Sequence, residues 1–73
     1  MTDSMVAWDT TAIRRDMAAR GWMATDLARA SGKHASTVTL FLRGLSQTPK
    51  TAAAIARAMG YSPRRYLTKR DVA

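Results

Sequence analysis

The tightest constraint on this chain is where its glycines and prolines stand. Gly21, Gly32, Gly44 and Gly60 each close a run of helix-forming residues, at the point where a helix needs a residue that tolerates the left-handed conformation. Pro49 and Pro63 each follow a hydroxyl residue, Thr48 and Ser62, and a cap followed by a first-turn proline is a helix start. No stretch shows β-branched alternation. The pattern predicts an all-α fold of four to five short helices: about 10–20, 24–31 and 35–43, one opening at Thr48-Pro49, and a short fifth opening at Ser62-Pro63.

Each segment carries its own local signals. Asp9 or Thr10 caps the first helix, with Ile13 and Met17 one turn apart, Ala12 and Ala18 beside them, and Arg14 and Arg15 on the wet side. Arg20 stands in the last turn, where a cation meets the carbonyl end of the helix dipole. Trp22 is expected to wedge into the core rather than stack on a base. The second helix has Leu27, Ala28 and Ala30 as its apolar stripe and Asp26 at its positive end. Met23 occupies its cap position, so it lacks a side-chain cap worth about 1 kcal/mol. Ala52, Ile55, Ala56 and Met59 form the stripe of the fourth helix; Leu45, Tyr66 and Leu67 are expected to face inward. Residues 1–8 are expected to be an arm, 9–68 the domain and 69–73 a fraying tail.

Residues 24–44 organise the rest. Val38, Phe41 and Leu42 recur at i, i+3 and i+4 and define one face of the third helix. Ser36, Thr39, Leu40 and Arg43 take the other face. Two helices this short cannot bury both apolar stripes against each other, so the remaining helices must act as a platform. The third helix can then keep one face in the core and offer the other to a partner, as a helix-turn-helix does when it enters a DNA major groove.

The charge supports a polyanionic partner. Net charge is +7, and from Leu27 to Arg70 there are nine Lys or Arg and no Asp or Glu. With 73 residues there is room for one small domain. The absence of cysteine removes disulfides, thiolate catalysis and the common zinc sites, and fits a reducing cytoplasm. His34, the single histidine, has no carboxylate neighbour in sequence for a hydrolytic triad, and no glycine-rich phosphate loop exists. We therefore expect no enzyme, no metal, no cofactor and no membrane span; the N-terminus, without a basic or long apolar run, does not read as a signal peptide.

The order of these signals resembles the lambda-repressor-like (Cro/C1, or XRE) helix-turn-helix family over about residues 10–68. The resemblance rests on Trp22, Leu27-Ala28, Gly32, Ser36-Thr37-Val38, Arg43-Gly44, Pro49 and the segment Ile55-Ala56-Arg57-Ala58-Met59-Gly60. It implies a compact five-helix domain that binds double-stranded DNA, usually as a homodimer on a near-palindrome, with helix three as the recognition helix. Carried over by position, Ala35, Ser36, Thr39 and Leu40 would face base edges, and Lys33, His34, Thr37, Arg43 and Lys50 would lie near phosphates. The short chain also resembles the stand-alone phage regulators of the group. Where the family often has Gln at the start of helix two, this chain has Ala24, and no Arg, Gln or Asn stands at the centre of its recognition face.

That face limits direct readout to hydroxyls and apolar groups. Ser36 and Thr39 can bond to several base edges, Leu40 can touch thymine methyls, and shape and phosphate contacts must supply the rest. The function expected is a sequence-specific transcriptional regulator of the repressor kind. The alternative is a protein-interaction module of the antitoxin or anti-activator type, using Leu40, Met23 and the arm.

Overall fold

The computed structural model describes residues 6–69; Met1–Met5 and Arg70–Ala73 lie outside the described residues. The elements run β1 (Val6–Trp8), α1 (Thr10–Arg20), α2 (Ala24–Ser31), α3 (Ala35–Leu42), α4 (Pro49–Met59), a 3-10 turn (Pro63–Tyr66) and β2 (Leu67–Lys69). Three of the four α-helices begin at a polar side-chain acceptor: Asp9, His34 and Thr48. Asp9 Oδ1 accepts from the Ala12 N–H at 3.0 Å, and Thr48 Oγ1 accepts from the Thr51 N–H at 3.3 Å. In α2, where Met23 offers no such acceptor, Asp26 reaches back and its Oδ2 accepts from the Met23 N–H at 2.7 Å, the carboxylate half of a capping box.

All four α-helices end in one way. The residue after the glycine donates its N–H five residues back: Trp22 to Met17, Lys33 to Ala28, Leu45 to Leu40 and Tyr61 to Ala56, at 2.9 to 3.1 Å. The glycine itself bonds to the carbonyl three residues before it. This is the Schellman closure, and it uses the last orphan carbonyls of each helix. At Gly44 the backbone is left-handed, with φ of +78°.

The core is one cluster: Ile13 and Met17 from α1, Leu27 and Ala28 from α2, Val38, Phe41 and Leu42 from α3, Ala52, Ile55, Ala56 and Met59 from α4, and Tyr66. The alanines of α2 and α4 let these helices approach closely, so the core needs few large side chains. Thr51, the buried polar residue of α4, accepts a hydrogen bond from the Thr48 hydroxyl at 3.0 Å.

The helices lie where the sequence places them, α3 ending one residue early with Arg43 as its C-cap. Several local expectations change. Residues 6–8, expected to be part of an arm, form β1, which pairs antiparallel with β2 in the register Val6↔Lys69, Ala7↔Thr68, Trp8↔Leu67. Lys69, expected to begin a fraying tail, closes that ribbon. Strands of three residues are too short to show an alternation, and their pairing crosses the whole chain. The expected fifth helix is the 3-10 turn, which buries Tyr66 but leaves Leu67 43% exposed. Leu45 is 65% exposed, because the Gly44 closure folds it back along its own helix instead of into the core. Ala30 and Ala18 are exposed, so α2 anchors through Leu27 and Ala28, with the half-buried Ala24 packed beside them.

Trp22 is half-buried against the core and stacks with a cation: the Arg20 guanidinium lies 5.3 Å from its ring centroid and 5.5 Å from that of Tyr61. The same guanidinium donates to the Met59 carbonyl at 2.6 Å, fastening the end of α1 to the end of α4.

Candidate nucleic-acid interface

In α3 the apolar and polar faces separate cleanly. Val38 and Phe41 are completely buried and Leu42 nearly so. Ser36, Thr39, Leu40 and Arg43 are exposed. Ala35 and Thr37 are half-buried, and Ala35 packs on the core, so it offers less to a partner than its neighbours one turn on.

His34 caps the helix. Its Nδ1 accepts from the Ser36 backbone N–H at 3.3 Å and lies 3.0 Å from the Ser36 hydroxyl. An accepting Nδ1 carries no proton, which leaves the other ring nitrogen as the donor. The Ser36 hydroxyl is thereby partly committed inside the protein, whereas Thr39 has no such bond among the described contacts.

The C-terminal end of α3 is held by residues whose part the sequence did not reveal. Arg14 of α1 donates to the Leu42 carbonyl at 3.2 Å, and Gln47 donates through Nε2 to the Phe41 carbonyl at 3.1 Å. Arg14 reads as a solvated arginine and Gln47 as loop, because no local signal reports a bond across 28 residues. Together they fix the pitch of α3 against α1 and the loop that follows.

Lys33 is half-buried in the turn between α2 and α3; Arg43 and Lys50 are exposed, Lys50 in the first turn of α4. Among the described residues no carboxylate forms an ion pair with any of the three; the two salt bridges join Asp26 to Arg29 and Asp16 to Arg65. The capping position of Lys33 is informative. The other three Schellman closures carry a bulky apolar or aromatic residue there (Trp22, Leu45 and Tyr61), the type that shields the cap. Only the closure between α2 and α3 carries a cation.

Residues 13–66 match the model of the Helix-turn-helix family of the Cro/C1 (XRE) type. The chain belongs to that family. Membership makes it a DNA-binding helix-turn-helix regulator of lambda-repressor-like fold, a regulatory rather than an enzymatic class. No curated protein and no solved structure matches the chain. Among the described residues no group of His, Asp or Glu could hold a metal ion, and no helix is long and apolar enough to cross a membrane.

Proposed function

We propose that this protein is a sequence-specific regulator of transcription, of the repressor kind found in phages and prophages, acting in the cytoplasm as a homodimer on a near-palindromic duplex site. One observation carries the reading. The helix that buries Val38, Phe41 and Leu42 turns Thr39, Leu40 and Arg43 to solvent, within a stretch from Leu27 to Arg70 that has no acidic residue. Thr39 and Leu40 serve the base edges, with Ser36 and Ala35 at the start of the helix. Lys33, His34, Thr37, Arg43 and Lys50 serve the phosphates. Two copies would set their recognition helices about 34 Å apart, one turn of duplex.

Selection of bound duplexes from a random library tests this. The expected result is a shared two-fold motif and an affinity that falls steeply with salt, with a log–log slope of about −0.9 for each neutralised phosphate. Recovery of unrelated sequences, or an affinity indifferent to salt, would remove the reading.

A second reading, a protein-interaction module, is favoured by a different place on the surface. Arg14, Met17, Trp22, Met23, Ala24 and Leu42 line an open hollow of about 270 Å³, and Met23 at its edge is 71% exposed. Under this reading the purified protein binds no selected duplex, and a Met23→Lys substitution releases a co-purifying protein.

A further inference from the structure

Two donors converge on one nitrogen at the start of α3. The Ser36 backbone N–H points at His34 Nδ1 at 3.3 Å, and the Ser36 hydroxyl lies 3.0 Å from the same atom. A backbone N–H can only donate, so Nδ1 meets it with a lone pair and carries no proton. That fixes the direction of the second contact. A hydroxyl beside an unprotonated ring nitrogen has nothing there to accept, so it donates. The one hydroxyl proton of Ser36 is engaged by His34, and the oxygen offers a partner lone pairs only.

Those lone pairs lie on the open side of the helix. Ser36 is exposed, and Thr39, Leu40 and Arg43 follow it three, four and seven residues on, also exposed. An unengaged hydroxyl rotates and meets donors and acceptors alike, and Thr39 keeps that freedom among the described contacts. Ser36 does not. On base edges in the major groove the donors are the amino groups, N6 of adenine and N4 of cytosine; guanine N7 and O6 and thymine O4 are acceptors. An acceptor-only hydroxyl gains a bond from the first set and meets lone-pair repulsion from the second.

We propose that His34 makes Ser36 an obligate acceptor, and that Ser36 thereby selects adenine or cytosine at one base of the bound site. This rests on the DNA-binding reading above. It gives His34 a positioning part in base choice, separate from any phosphate contact.

The test uses the full chain and a duplex selected from a random library. At each adenine or cytosine in turn the amino group is removed, by purine in place of adenine or 2-pyrimidinone in place of cytosine. At one position wild-type affinity should fall about fivefold further than that of Ser36→Ala, the worth of one hydrogen bond. Ser36→Ala changes an exposed helical residue and keeps the fold. His34→Ala releases the hydroxyl, and in a fresh selection the preference for an amino group at that position should relax. His34→Asp again offers an acceptor to the same N–H and hydroxyl, so it should restore the preference while binding more weakly overall. Helical circular dichroism of each variant separates base choice from a lost cap. A guanine or thymine whose selection depends on Ser36 would make the hydroxyl a donor and overturn the proposal. So would an amino-removal penalty equal in wild type and Ser36→Ala at every position, or a His34→Ala protein that keeps the wild-type preference. In all three cases salt-dependent duplex binding persists and the DNA reading stands. If no duplex is bound at all, both readings fall together.

Discussion

The Tyr66 hydroxyl donates to Asp16 Oδ2 at 2.5 Å and so ties the buried end of the 3-10 turn to the middle of α1. Arg65 completes the arrangement, donating through Nε to the same oxygen at 3.0 Å while its guanidinium lies 3.9 Å from the Tyr61 ring centroid. The Arg65 hydrogen bond, and after it that of Tyr66, holds the Asp16 carboxyl below its ordinary value of 3.8. Burial, reinforced by the bond to Asp16, pushes Tyr66 up to about 12 from 10.0.

These shifts give stability two pH limits. A lowered carboxyl pKa stabilises fully above the unfolded value, and the contribution is lost as pH falls below 3.8 through the folded value. A raised phenol pKa stabilises fully below 10.0, and the contribution is lost as pH rises toward about 12. Thermal melting across pH should show both limbs. Asp16→Asn should flatten the acid limb and Tyr66→Phe the alkaline one. An Asp16→Asn protein that keeps the wild-type acid limb would place acid sensitivity elsewhere.

Lys33 sets fold against function. It occupies the capping position that Trp22, Leu45 and Tyr61 fill with bulky side chains, over the buried Ala28. Lys33→Leu should therefore raise stability by about 0.5 kcal/mol or more, the usual gain from an improved cap. It should also weaken duplex binding and reduce the salt slope by about 0.9, one phosphate contact. A variant that melts later and binds DNA as well as wild type would show that Lys33 serves neither purpose.

What the sequence reveals here and what it hides differ by range. Thr48-Pro49 and Gly60 bound α4 through contacts three to five residues away, so they are readable from the chain alone. The inward face of α3 is readable for the same reason, since Val38, Phe41 and Leu42 repeat at the helical period. The ribbon of Val6–Trp8 with Leu67–Lys69 and the Arg14 bond to Leu42 join distant segments and leave no local trace. Leu45 misleads because an apolar residue after a glycine suits either a core or a cap, and only the path of the chain decides. For the site, the exposed residues of α3 were legible, but the bond between His34 and Ser36 was not.

Arg43 and Thr39 should separate positioning from readout. Arg43 caps the end of α3 with its backbone and leaves its side chain exposed. Arg43→Ala should weaken binding to all duplexes by a similar factor, with a slope change of about 0.9. Thr39→Ala removes a hydroxyl from the centre of the exposed face and should change which duplexes are selected. Library selection with each variant measures both. An unchanged motif for Thr39→Ala would remove Thr39 from readout.

Arg14 offers the sharpest test of how α3 is held. Its guanidinium meets the Leu42 carbonyl, one of the last of the helix, while the rest of the side chain lines the hollow beside Met17 and Trp22. The exposed site limits the gain, so Arg14→Ala should cost about 1 kcal/mol of global stability, near the ordinary worth of one hydrogen bond. Its larger effect should be local. Amide exchange at Arg43, Gly44 and Leu45, which donate to carbonyls of that same last turn, should accelerate more than exchange in α4. Phe41→Ala is the contrasting case: a completely buried side chain whose loss should cost about 3–5 kcal/mol and speed exchange everywhere. If Arg14→Ala raises exchange uniformly, as Phe41→Ala should, then Arg14 supports the whole core and not the end of α3.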